Sequence, residues 1–324
     1  MSGPLATASR AILLSAGRSE RIKRAGERLP VTRNVVRRFV AGQTHSDVIE
    51  AGRSLLDAGR MISVDYLGED TTDEAQAELT VSAYLQLIGM LAGIDAGEGH
   101  SATSVHPMEI SLKLSSLGSA LPRHGEKIAL ENAHRIASAA AAAGVWVTVD
   151  AEDHTTTDST LRIVRELRTD FPDLGTVLQS CLRRTEEDCR EFAGPGSRIR
   201  LCKGAYAEPA DVAYQDSRDV DAAYLRCLQV LMEGDGYPMV AGHDPVMIAA
   251  AEQMAADSRR SAAGWEYQML YGIRNSEQER LARAGRRIRV YVPFGSQWYA
   301  YFMRRLAERP ANLMFFLRAL VSPD

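Results

Sequence analysis

The chain has 324 residues, 45% apolar and 25% charged, which excludes a disordered or fibrous polymer and fits either two average domains or one large α/β barrel. Thirty-eight basic against 42 acidic residues give a net charge of −4, so no overall basic excess points to nucleic acid. The four cysteines form no CxxC pair and no zinc-like spacing, which fits reduced thiols in a cytoplasmic protein and predicts no metal site.

Residues 1–40 carry a net charge of +7, and the remainder carries −11. This basic stretch reads as a helical N-terminal arm over 1–45. Its apolar run AILLSA (11–16) is too short for a signal-peptide core, and no other run approaches a membrane span. From 46 to 324, eight strand-like runs alternate with helix-like stretches. They are MISVDYL (61–67), ISLKL (110–114), VWVTVD (145–150), TVLQS (176–180), RIRLCK (198–203), MVAG (239–242), WEYQML (265–270) and RIRVYVP (287–293). Alternating strand–helix units demand a parallel sheet with right-handed crossovers, and eight of them predict closure into a (β/α)8 barrel with a helical tail from about 298. The interval between the fourth and fifth runs, 22 residues, is short for a full unit. Neither a GxGxxG nor a Walker loop is present, which counts against a Rossmann nucleotide site.

Side chains alternate across a strand, so each run has two faces. Leu112 and Leu114 oppose Ser111 and Lys113; the valines of VWVTVD oppose Trp146, Thr148 and Asp150; Ile288, Val290 and Val292 oppose Arg289 and Tyr291. Barrel helices cover the outer face, so the branched row is expected outward and the polar row in the lumen. Lys113, Asp150, Gln179, Arg200 and His243 are then expected at or near the C-terminal ends of their strands, where barrel enzymes carry their chemistry. Any one of these has an equal reading as a satisfied ion pair, and His243 alone reads as structural. Five on five strands favour a polar ligand. In KGAY (203–206), Gly204 allows close backbone approach and Lys203 supplies a point charge suited to phosphate. Glu208-Pro209 reads only as a loop. Arg304 and Arg305 offer two guanidinium forks for one carboxylate, with an Arg304–Glu308 surface pair as the equal alternative.

Together, ISLKLS, TVDAED, RLCKGAY, WEYQMLYGIR and VYVPFG…FMRRLAERPAN resemble the proline dehydrogenase family in its short, monofunctional form, from about residue 33 to 318. The resemblance implies a distorted (β/α)8 barrel binding FAD at its C-terminal mouth. It places Lys113, Arg304 and Arg305 on the proline carboxylate, with Glu69 as the acidic gate partner of Arg304. Asp150 and Arg200 take the catalytic positions, Arg200 beside the flavin, and Tyr291 and Leu270 wall the proline ring. Ala151, Gln179, Lys203, Gly204 and Ala205 match FAD-contacting positions, as do Gly242 and His243. Tyr206 and Glu308 are grouped with them. The implied reaction converts L-proline to Δ1-pyrroline-5-carboxylate and hands electrons to a quinone, with pyrroline-5-carboxylate dehydrogenase as pathway partner. The basic arm has two readings, contact with anionic lipid at the inner face of the membrane or packing on its own acidic barrel. Read without the resemblance, the same residues leave three rivals: a Schiff-base lyase or aldolase on Lys113 or Lys203, a metal hydrolase on Asp150, Glu152 and Asp153, and a non-catalytic flavin or amino-acid binding module.

Overall fold

The computed structural model describes residues 36–68, 71–94, 105–299 and 301–303. Eight parallel strands close in chain order: β1 (Met61–Tyr66), β2 (Met108–Leu112), β3 (Trp146–Val149), β4 (Gly175–Gln179), β5 (Arg198–Cys202), β6 (Tyr237–Ala241), β7 (Glu266–Leu270) and β8 (Ile288–Phe294). The circle is completed by β8 on β1, where Tyr291 pairs with Ser63 and Pro293 with Asp65. All eight expected strands are present. The second ends at Leu112, before Lys113, because Leu114 already leads into the 3-10 turn Ser115–Leu117.

Helices α1 (His45–Asp57), α2 (Glu74–Ala92), α3 (Gly125–Ala142), α4 (Thr157–Asp170), α5 (Thr185–Phe192), α6 (Ser217–Glu233), α7 (Pro245–Asp257) and α8 (Asn275–Arg283) surround the sheet. The short interval between the fourth and fifth strands is spanned by the eight-residue α5, and Thr185 Oγ1 ties its first turn to the end of β4 by donating to Gln179 O. Helix α1 opens with a capping box in which Thr44 Oγ1 accepts from Asp47 N and Asp47 Oδ2 accepts from Thr44 N. It packs on β8 and β1 and so covers the closing seam from the N-terminal side.

The branched row faces outward, as expected. Ile62, Val64, Ile110, Leu112, Val149, Ile199, Leu201, Val290 and Val292 are fully buried against the helices in one core. The residues of 298–303 that are described do not join that core. Trp298, Phe302 and Met303 pack instead with Val36, Phe39, Val40 and Leu67, and this second cluster touches Tyr291. The chain on both sides of the barrel therefore meets over the mouth. Among the described residues no helix is long and apolar enough to cross a membrane.

Candidate active site

Among the described residues the inward row is mostly polar or charged where branched apolar layers would be usual, Val177 in register with Arg200 being an exception. The lowest layer of the lumen holds Glu109, Trp146, Arg198, Glu266 and Arg289, all buried. Arg289 Nε donates to Glu266 Oε1 at 2.7 Å, Arg198 pairs with Glu109 Oε2, and the Arg198 guanidinium lies 3.6 Å from the centre of the Trp146 ring. Isolated charges here would be very costly, so the lattice exists because nearly every lone pair and proton is matched. Burial alone would push the Glu109 carboxyl up, but Arg198, Arg289 and Arg200 hold it well below the usual range, at about 2.

Arg200, expected at or near the C-terminal end of its strand, is the third of five residues in β5 and sits one layer below the mouth. Its guanidinium is fully engaged: Nε with Gln268 Oε1 at 2.5 Å, Nη1 with Ser111 Oγ at 2.8 Å and Asp150 Oδ1 at 2.6 Å, and Nη2 with Ser63 Oγ at 3.1 Å and Glu109 Oε1 at 2.7 Å. It joins the lower lattice to the upper layer.

That upper layer brings the expected residues together. Lys113, just past β2, donates from Nζ to Asp65 Oδ2 at 2.8 Å and lies 3.8 Å from Asp150 Oδ2. Tyr291 Oη stands 2.7 Å from Asp65 Oδ2 and 2.8 Å from Asp150 Oδ2. Lys113, Asp150, Arg200 and Tyr291 thus share one hydrogen-bonded network at the C-terminal end of the lumen. Leu270 closes β7 on the same face, where its N–H donates to His243 Nε2 at 3.0 Å.

Over β4 to β6 the mouth is built differently. Gln179 Nε2 donates to Glu152 O at 2.8 Å, which fixes the loop that carries Ala151. Lys203 is half-buried and already held by Asp221 Oδ1 at 2.5 Å and Asp244 Oδ2 at 3.2 Å, so its charge is balanced within the chain. Gly204 is needed for its own backbone: its φ of +103° is left-handed, and a Cβ would be driven into Cys181 Sγ. Gly204→Ala is therefore expected to cost about 1–3 kcal/mol, read by thermal denaturation; an unchanged midpoint would refute the strained turn. Gly242 differs, with open space within 4 Å of where a Cβ would stand. Ala205 and Tyr206 are half-buried in the same loop as Gly204.

Sequence reasoning missed several residues. Asp65 and Glu109 are fully buried and central, and the alternation Ser63–Asp65 and Glu109–Ser111 could have revealed them. Glu208, read as a loop residue, is buried and accepts from His154 N at 3.1 Å and pairs with His154 Nδ1, so it fastens the loop after β5 to the loop after β3. Glu69, Arg304, Arg305 and Glu308 lie outside the described residues.

The rivals fare poorly against this geometry. A Schiff-base lysine must be a neutral amine, whereas Lys113 stands 3.8 Å from Asp150 Oδ2 and Lys203 is paired with Asp221 and Asp244. The hydrolase carboxylates are dispersed: Asp150 faces Arg200 and Tyr291, Glu152 accepts from Ser115 N, and Asp153 caps the 3-10 turn His154–Thr156.

A closed parallel barrel with ion-paired acids, a lysine and a phenol at its C-terminal end defines a barrel enzyme. The family model described as "Proline dehydrogenase" matches residues 48–318. Proline dehydrogenase 1 of Bacillus subtilis (strain 168) is 39% identical over 290 residues, covering 90% of this chain and 92% of that protein. Proline dehydrogenase of Deinococcus radiodurans is 38% identical, covering 89% of this chain and 90% of that protein. The fold matches the crystal structure of proline utilization A from Bdellovibrio bacteriovorus, inactivated by N-propargylglycine, with a TM-score of 0.77 at 24% identity; the match covers 85% of this chain and 32% of that one. The chain belongs to the proline dehydrogenase family, and with it to the oxidoreductases of proline catabolism.

Proposed function

We propose that the chain oxidises L-proline to Δ1-pyrroline-5-carboxylate with FAD as its cofactor. The observation that carries this reading is the single network in which Lys113, Asp65, Asp150 and Tyr291 meet at the mouth with Arg200 beneath them. FAD, when bound, supplies the two-electron acceptor. Its fit is supported by the open space at Gly242 and by the turn at Gly204, which keeps the backbone of 203–206 in a left-handed bend beside the mouth. Gln179, Ala151, Lys203, Ala205, Tyr206 and His243 surround that flank, and Glu308 is assigned with them.

The chain's own residues then have separate tasks. Lys113, with Arg304 and Arg305, takes the substrate carboxylate and so fixes the ring's orientation, which is most of what this reaction asks of a protein. Tyr291 and Leu270 wall the ring. Arg200 has its donors engaged by protein partners, and we assign it to holding Asp150 in place rather than to direct flavin contact. The apolar cluster over the mouth excludes water.

Electrons pass on to a quinone, and pyrroline-5-carboxylate dehydrogenase is the pathway partner that consumes the product. The basic arm either touches anionic lipid at the inner face of the membrane or packs on the barrel; deletion of 1–30 that leaves liposome binding unchanged removes the lipid reading. The central test is an absorbance spectrum of the purified protein before and after anaerobic L-proline. The flavin band should bleach, and bleaching should be lost in Arg304→Ala and Arg305→Ala. A colourless protein, or a yellow one indifferent to proline, refutes the proposal.

A further inference from the structure

Three oxygen atoms stand in a row at the top of the lumen. Tyr291 Oη lies 2.7 Å from Asp65 Oδ2 and 2.8 Å from Asp150 Oδ2. Burial pushes the phenol well above its ordinary pKa, so Tyr291 brings one hydrogen and can donate it once. Two oxygen contacts this short need a second hydrogen, because a carboxylate oxygen facing a phenol oxygen with nothing between them is lone pair against lone pair.

The second hydrogen has two possible owners, and their surroundings differ. Asp150 is held as a carboxylate, since its Oδ1 accepts from Ser111 Oγ at 2.6 Å and from Arg200 Nη1 at 2.6 Å. Asp65 is fully buried, and its Oδ1 has no hydrogen-bond partner among the described residues. Burial raises its carboxyl, Lys113 pulls it down and Asp150 pushes it up, with a net upward direction. Among the described residues the groups facing it are Lys113 from the end of β2, Asp150 from the end of β3, Tyr291 from β8 and the Tyr84 phenol from α2.

We propose that Asp65 carries the second hydrogen, so that the substrate-free protein holds a neutral carboxylic acid there and a carboxylate arriving beside Lys113 meets one anion, Asp150, rather than two. Asp65 is a positioning residue in this scheme: it acts through Lys113 and Tyr291, and its ionisation at higher pH would set a second carboxylate against the incoming one and weaken its binding. The role of Lys113 rests on the function proposed above.

The test uses substrate-free holoenzyme and difference infrared spectroscopy with isotope-labelled aspartate. At neutral pH the wild type should show the carbonyl band of a protonated aspartic acid, and Asp65→Asn should lack it. Binding of cyclopentanecarboxylate, a ring acid with no amine to titrate, is read in parallel from the flavin absorbance. Its Kd in the wild type should rise about tenfold per pH unit above the midpoint of the infrared band, because one proton is linked to one anion. In Asp65→Asn, neutral at every pH, the rise should be absent. A wild type without the band, a band that survives Asp65→Asn, or the same Kd rise in both proteins overturns the proposal. Should Asp65→Asn not fold, the wild type still decides: the infrared midpoint and the Kd break must coincide, and divergence overturns it. Failure of proline to bleach the flavin would refute the function while leaving the infrared result standing.

Discussion

Glu109→Ala is expected to lower folding stability by about 3–5 kcal/mol, the penalty for stranding buried charge after one partner is removed. Two guanidiniums share this carboxylate, Arg198 on Oε2 and Arg200 on Oε1, and Ser63 Oγ donates to it at 2.6 Å. None of these can turn to water, because all lie inside the strand ring. Arg200 would also lose the anchor that keeps it under Asp150, so activity should fall with stability. Urea denaturation of wild type and variant measures the difference, and a change below about 1 kcal/mol would show that the ion lattice does not hold the lumen together.

The same carboxylate gives an acid limit whose sign follows from linkage. Its folded pKa of about 2 is below the ordinary 4.5 of a glutamate, so its contribution is complete above 4.5 and is lost as pH falls towards 2. Asp65 runs in the opposite sense. Its folded pKa is raised above 3.8, so the protein loses stability as pH rises through the window above that value. Denaturation at stepped pH should show both slopes, the acid slope vanishing in Glu109→Ala.

Lys113→Ala is expected to reduce kcat/KM for proline about 100-fold or more, mostly through KM. The scale is that of truncating one partner of a desolvated charge pair. The amine lies between the side chains of Asp65 and Asp150 and is nearly buried, so no solvent ion replaces it cheaply. Lys113→Arg should recover little, because a planar fork does not fit a point-charge site at 2.8 Å from Asp65. Steady-state assays with a soluble dye acceptor give kcat and KM separately. A fall in kcat alone would mean that Lys113 does not orient the carboxylate.

Much of this molecule was readable from alternation. Runs such as RIRLC and RIRVYV present branched residues on one face and arginine or tyrosine on the other, and the barrel places those faces outward and inward. Lys113 and Asp150 were legible because they lie on the polar face at the C-terminal end of strand-like runs. Asp65 and Glu109 obey the same alternation, yet a single strand gives no sign of which acid will meet which base. Glu109 stands 89 positions from Arg198, and Asp65 stands 226 from Tyr291. Glu208 was illegible for a related reason, since its partner His154 is 54 positions away on another loop.

Sequence by itself determined the number of strands, their faces, and the identity of the charged groups at their ends, because periodicity and strand order are local properties written every two residues. Only the closed ring decided that four cations and four acids would be stacked in one dry column, that Arg200 would stand a layer below the mouth, and that Lys203 would be held by Asp221 and Asp244. Electrostatic pairing depends on distance in space, and distance in space is set by the register between strands rather than by order along the chain.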